Sequence, residues 1–130
     1  MSALFRIIKL NGRHTAHECF SHMVEFKLVS TYLRNRAQRP VVATDIRFEF
    51  YSIMKWCWET FGPGAERDSV FYAYYEKKAH QLNVKMSSTR IEKILEIADV
   101  KWGWFIEGTK HRIYLKDEAV TLLKLKWDVT

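Results

Sequence analysis

The chain has 130 residues, 48% of them hydrophobic and 15% aromatic, with five Trp, six Tyr and eight Phe. It is too short for two ordinary domains, long enough for one buried core, and too apolar to be disordered throughout. The net charge of +6 is concentrated in residues 1–40, where seven Lys/Arg face only Glu18 and Glu25, a balance of +5, so an anionic partner, nucleic acid above all, is expected to meet that part.

In chain order, Arg6 and Lys9 interrupt the apolar start, which therefore lacks the core of a secretion signal. No stretch approaches the roughly 20 uncharged apolar residues that cross a bilayer. A cytoplasmic protein without membrane contact is expected. Leu4 to Leu10 reads as a strand, closed by the turn pair Asn11-Gly12. The next segment carries two signals. Thr15-Ala-His-Glu18 fits a helix capping box, whereas Val24-Glu-Phe-Lys-Leu28 alternates apolar and charged; a strand from about Met23 to Val29 is the favoured reading. Arg34 to Gln38 reads as a basic loop, and Pro40 ends any helix before it.

From Asp45 as cap, Ile46, Phe50, Ile53, Met54, Cys57 and Phe61 recur at helical spacing, and Gly62-Pro63-Gly64 stops the helix. Val70 to Tyr75 is short, aromatic and bounded by charge, which predicts a strand. Thr89-Arg-Ile-Glu92 is a second capping box, opening a helix with Ile91, Ile94, Leu95 and Ala98 on one stripe. Lys101 to Ile106 and His111 to Leu115 form a hairpin around Glu107-Gly-Thr-Lys110, and Asp117 caps a last helix carrying Val120, Leu123 and Trp127. Strand pairs that are local in sequence predict an α+β domain spanning residues 1–130, an antiparallel sheet with helices on one face, with a ferredoxin-like sandwich as the best single architecture.

Chemistry-bearing residues are sparse. His14, His17, Cys19 and His22 fall within nine residues and are suitable zinc ligands. On a helix, residues 14, 17 and 22 do not all converge, and on a strand 17 and 19 face away from 14 and 22, so solvated or hydrogen-bonded histidines are expected instead. The two cysteines, Cys19 and Cys57, are read as reduced, with Cys57 in the core. No serine elbow or phosphate loop is present, Pro63 removes an amide from the only Gly-rich turn, and Asp117-Glu118 sit where first-turn helix acids belong. Neither enzyme activity nor a cofactor is expected.

Basic and aromatic residues carry the remaining signal. Lys and Arg attract phosphates while exposed aromatic faces stack on unpaired bases, which nominates Arg34, Arg36, Arg39, Lys77 and Lys78 for phosphates. Trp102 and Trp104 would stack if exposed, although core is the favoured place for them. The strand Lys101 to Ile106 resembles the RNA-recognition-motif signature in its leading basic residue and in Phe105-Ile106. It departs from it where Trp102 replaces a glycine, Gly103 the first aromatic, and Glu107-Gly108 the terminal aromatic position, so that family's RNA-binding residues are not carried over. Trp56-Cys-Trp-Glu-Thr-Phe-Gly-Pro-Gly64, Arg112-Ile-Tyr-Leu-Lys-Asp117 and Leu123-Lys-Leu-Lys-Trp127 resemble stretches of small proteins of tailed bacteriophages. That resemblance implies expression inside a bacterium and a role in phage replication, host takeover or the virion. Two functions follow as expectations: a basic nucleic-acid-binding accessory protein, or a module that binds a host protein or another copy of itself, with the aromatic surplus as anchors.

Overall fold

The computed structural model describes residues 5–27, 43–81 and 88–127. The basic loop expected at Arg34 to Gln38, and Arg39 and Pro40 after it, lie outside these residues.

β1 (Phe5–Lys9) and β2 (His22–Lys27) pair antiparallel, Phe5 opposite Phe26 and Lys9 opposite His22. Between them Asn11 organises a turn. Its side-chain oxygen accepts the Arg13 amide at 2.9 Å, its carbonyl accepts the His14 amide at 2.9 Å, and its own amide donates to His14 Nδ1 at 3.0 Å. The capping-box segment therefore forms turns rather than a helix. Ala16, fully buried, takes a left-handed φ of 65°, and its carbonyl accepts the amides of Cys19 and Phe20.

α1 (Ala43–Phe61) follows the three-and-four spacing, with Phe50, Ile53 and Cys57 fully buried. Gly62, at φ 88°, donates its amide to the Trp58 carbonyl at 3.0 Å and ends the helix. β3 (Ala65–Glu66) leads directly into α2 (Arg67–Gln81). The strand expected at Val70 to Tyr75 is thus helical. The Glu66 carboxylate accepts the Ser69 amide at 3.3 Å, satisfying a donor of the first turn, and Val70 and Ala73, three apart, are buried while Tyr72 and Tyr75 point outward. Burial of one helical stripe outweighs the strand preference of the aromatics, a difference of at most about 1 kcal/mol per residue.

α3 (Ser88–Ala98) packs on α2, and β4 (Trp102–Glu107) turns into β5 (Lys110–Leu115) through two residues, Gly108 at φ 58°. α4 (Asp117–Trp127) closes the described chain, with Asp117 and Glu118 in its first turn and Lys124 and Lys126 in its last, all four placed to complement the helix dipole.

The sheet order is β1-β2-β5-β4-β3, antiparallel except for the β3–β4 pair. The domain is α+β, but β1 and β2 are hairpin neighbours without a helical crossover, so the ferredoxin-like sandwich does not form. Helices also lie on both faces rather than one. Val24, Phe26, Ile113, Leu115 and Trp102 pack with Phe50, Ile53 and Cys57 of α1 and Ala119, Val120 and Leu123 of α4. On the opposite face Met23, Tyr114 and Phe105 pack with Val70 of α2 and with Leu10, Ala16 and Phe20. Strand residues alternate between two apolar layers, so both sheet faces need a cover.

The register also fixes where backbone groups point. Glu107 and Lys110 close the two-residue hairpin, so Glu107, Phe105 and Gly103 bond to β5, while Trp104 and Ile106 turn their amides and carbonyls to the outer edge. β3 covers that edge only at Gly103 and Trp104.

Candidate functional site

The residues expected to bind nucleic acid do not converge. Arg34, Arg36 and Arg39 lie outside the described residues. Lys77 is engaged with Asp99, Nζ to Oδ1 at 2.9 Å. Lys78 lies over the Tyr74 ring, 4.5 Å from its centroid, and the hydrogen bond to Tyr74 raises its pKa. Both lysines are on α2, over one sheet face, whereas Trp102 and Trp104 point to the other.

Trp102 is a core residue, 1% exposed, with its Nε1 donating to the Gly62 carbonyl at 2.8 Å. Freeing it to stack would forfeit core packing worth about 3–5 kcal/mol against about 1–3 kcal/mol from a base, so the stacking role nominated for it is corrected. Trp104, half-buried and 5.6 Å from Trp102 between ring centroids, keeps one flank accessible.

That flank belongs to a groove of about 430 Å3 between α1 and β4, lined by Met54, Trp58, Trp102 and Trp104, with Lys55 and Glu59 at its rim. The helix pitch explains it. Phe50, Ile53 and Cys57 face the sheet, which turns Phe48, Tyr51, Lys55 and Trp58 onto an adjoining outward stripe and leaves Met54 between the two. Phe48, Tyr51 and Trp58 are 76%, 55% and 54% exposed, and Ile106 of β4, on the same sheet face as Trp104, is exposed too. Lys55 and Glu59 pair loosely at 3.9 Å and are well solvated, so the rim charges neutralise each other at little energetic gain. The floor holds no charge.

The opposite face is polar at one end. Glu25 is bracketed by Arg6, which donates through Nε at 2.9 Å and Nη2 at 2.6 Å, and by Arg112, through Nη2 at 3.1 Å and Nε at 3.3 Å. Burial pushes the Glu25 carboxyl up, but Arg6 and then Arg112 outweigh it and the net shift is downward. Beside them Arg67 stacks 3.7 Å above the Phe105 ring centroid, binds Asp68 at 2.8 Å and donates to the Tyr114 hydroxyl at 3.1 Å. Each carboxylate has its cation, so this region stitches β1, β2, β5 and α2 together.

Ser21, His22 and Asp117 come together without forming a catalytic relay. Ser21 Oγ lies 2.8 Å and Asp117 Oδ1 3.5 Å from the same imidazole nitrogen, Nδ1, whereas a relay needs the two on opposite nitrogens. Of the other candidate metal ligands, His14 Nδ1 accepts the Asn11 amide and His17 Nδ1 lies 3.3 Å from Glu18. Among the described residues no three His, Cys, Asp or Glu side chains are grouped to hold a metal ion. Both cysteines are free; burial raises the Cys57 thiol to about 12, and burial followed by Glu18 raises Cys19. His111 is 3% exposed, edge-on to Phe50 at 5.2 Å, and its Nδ1 has no partner among the described residues.

Sequence reasoning missed Trp58, Phe48 and Tyr51 as surface residues; Met54, read on the core stripe, does pack against the core and also lines the groove. The signal was present: Phe48, Tyr51 and Trp58 fall three and seven apart on a helix whose core stripe was already assigned, so all three had to face away from that stripe. No helix among the described residues is long and apolar enough to cross a membrane. No known protein family, curated protein or solved structure matches the chain.

Proposed function

We propose that the protein is a non-catalytic protein-binding module whose docking site is the groove formed by Met54, Trp58 and Trp104. One observation carries this reading: large aromatic side chains are exposed around a concave floor without charge, in a chain that otherwise carries abundant Lys and Arg. Exposed Trp and Tyr beside an apolar pocket are the residue types that anchor interfaces, and a floor without cations offers phosphates no partner. Following the resemblance to small proteins of tailed bacteriophages, the partner is a host protein or a second phage component met in the host cytoplasm.

The test is a pull-down from nuclease-treated bacterial lysate, quantified by mass spectrometry, with the wild-type chain, Trp58→Ala and Tyr72→Ala. A partner retained by the wild type and by Tyr72→Ala but reduced at least about tenfold by Trp58→Ala is expected, tenfold being about 1.4 kcal/mol of binding. A partner indifferent to Trp58→Ala removes the groove reading.

A second reading, nucleic-acid binding, is favoured by Tyr72 and Tyr75, 69% and 49% exposed on the helix that also carries Lys78, and by the basic run Arg34, Arg36 and Arg39. Here the tyrosines replace Trp102 as stacking faces. A titration against single-stranded DNA and RNA at low salt, where the phosphate attraction is strongest, decides it. Absence of binding there removes the second reading.

A further inference from the structure

We infer that the occupant of the groove is an extended peptide segment that adds as a strand to the outer edge of β4 at Ile106; this rests on the protein-binding reading above. The edge itself specifies the partner. β3 pairs with β4 only at Gly103 and Trp104 before the chain leaves into α2, and Ile106 turns its amide and carbonyl outward with no backbone partner among the described residues. A donor and an acceptor held side by side at strand spacing match the backbone of another strand, which continues the line that β3 begins.

The two faces of that edge differ, and the difference sets the pattern of the peptide. Side chains of an added strand alternate between faces. On one face they lie beside Ile106, next along β4 on that face from Trp104 at the wall of the groove that Met54 and Trp58 also line. On the other they meet the Arg67–Asp68 pair above Phe105. The segment is therefore apolar at alternate positions and polar between them. A helical occupant would fill the groove and leave the Ile106 backbone unpaired, which is why the strand is preferred. Neighbouring strands lie about 4.8 Å apart; Glu66 of β3 already sits beside Trp104, so the first apolar side chain lies beside Ile106 and reaches the Trp104 ring along the diagonal.

The probe is a displayed library of linear twelve-residue peptides, from which enriched sequences are synthesised and titrated against the wild type, Ile106→Pro and Trp58→Ala. Proline removes only an amide that faces away from β5, so the hairpin is kept, and circular dichroism checks it. Copies of each peptide N-methylated at odd or at even positions provide a measurement that needs no protein variant. Expected are alternating enrichment, at least about tenfold weaker binding by Ile106→Pro and by one N-methyl register alone, and slowed amide exchange at Ile106 in the complex. Peptides weakened by Trp58→Ala but indifferent to Ile106→Pro and to both N-methyl registers overturn strand addition and leave the groove reading standing. A library that yields no enriched peptide also overturns it, while the lysate experiment judges the groove separately.

Discussion

The indole of Trp102 lies flat against the backbone of Gly64, so that a methyl group there would fall 2.8 Å from ring atom Cζ2 and closer still to Cδ2 and Cε2. The same ring is tied to Gly62 through its Nε1, which places the turn after α1 and the first residue of β4 in one rigid unit. The indole is buried against α1 and cannot withdraw. Gly64→Ala is therefore expected to cost about 2–3 kcal/mol, towards the upper end of overpacking, by urea unfolding. A cost below about 0.5 kcal/mol would mean that the indole moves freely.

Glu25 gives the fold a pH dependence of known sign. Its carboxyl is held below the ordinary value of 4.5 because Arg6 and Arg112 outweigh burial. The stabilisation is present above that ordinary value and is lost as pH falls through the depressed one. Glu25→Gln should be less stable than the wild type by about 1–2 kcal/mol near neutral pH. The gap should narrow at a second pH in the acid range, below that ordinary value, where the wild-type carboxyl also takes up its proton. Urea titrations at the two pH values read it, and a gap that widens in acid contradicts the pairing.

The cysteines report on the core. Alkylation needs the thiolate, and burial raises Cys57 to about 12. Iodoacetamide at about pH 8 is expected to leave Cys57 unmodified in the folded chain and to label half-buried Cys19 slowly, with both reacting in urea. Peptide mass spectrometry distinguishes the two sites. Equal labelling of both in the folded chain would show that the α1 face of the sheet is open.

The elements legible in the sequence were those whose burial pattern and end signals agree. Phe50, Ile53 and Cys57 mark one stripe and Gly62 takes the left-handed cap that its identity allows, so the core stripe and end of α1 were readable, although the helix begins at Ala43, before the Asp45 expected to cap it. The hairpin through Gly108 and the helix after Asp117 were readable for the same reason. Val70 to Tyr75 was not, because local strand preference pointed one way and the deciding contacts, Val70 against Phe105 and Tyr114, come from β4 and β5 far along the chain. The same distance in sequence hid the site. Met54 and Trp58 meet Trp104 only once β4 is placed beside α1, whereas the charge count drew attention to residues 1–40 and to Lys77, whose ion pair with Asp99 was equally invisible.

Trp58 and Trp102 separate docking from folding, because they line one groove with opposite burial. Trp102 is almost fully buried and its Nε1 bond to Gly62 is part of the turn after α1, so Trp102→Ala removes a core side chain and is expected to cost about 3–5 kcal/mol. Trp58 is 54% exposed, and Trp58→Ala gives up only the contacts of one flank, which should keep its cost within about 1 kcal/mol. Thermal unfolding compares the two. If Trp58→Ala instead destabilises the chain as much as Trp102→Ala does, its indole belongs to the core, and any loss of partner in that variant would reflect unfolding rather than an emptied docking site.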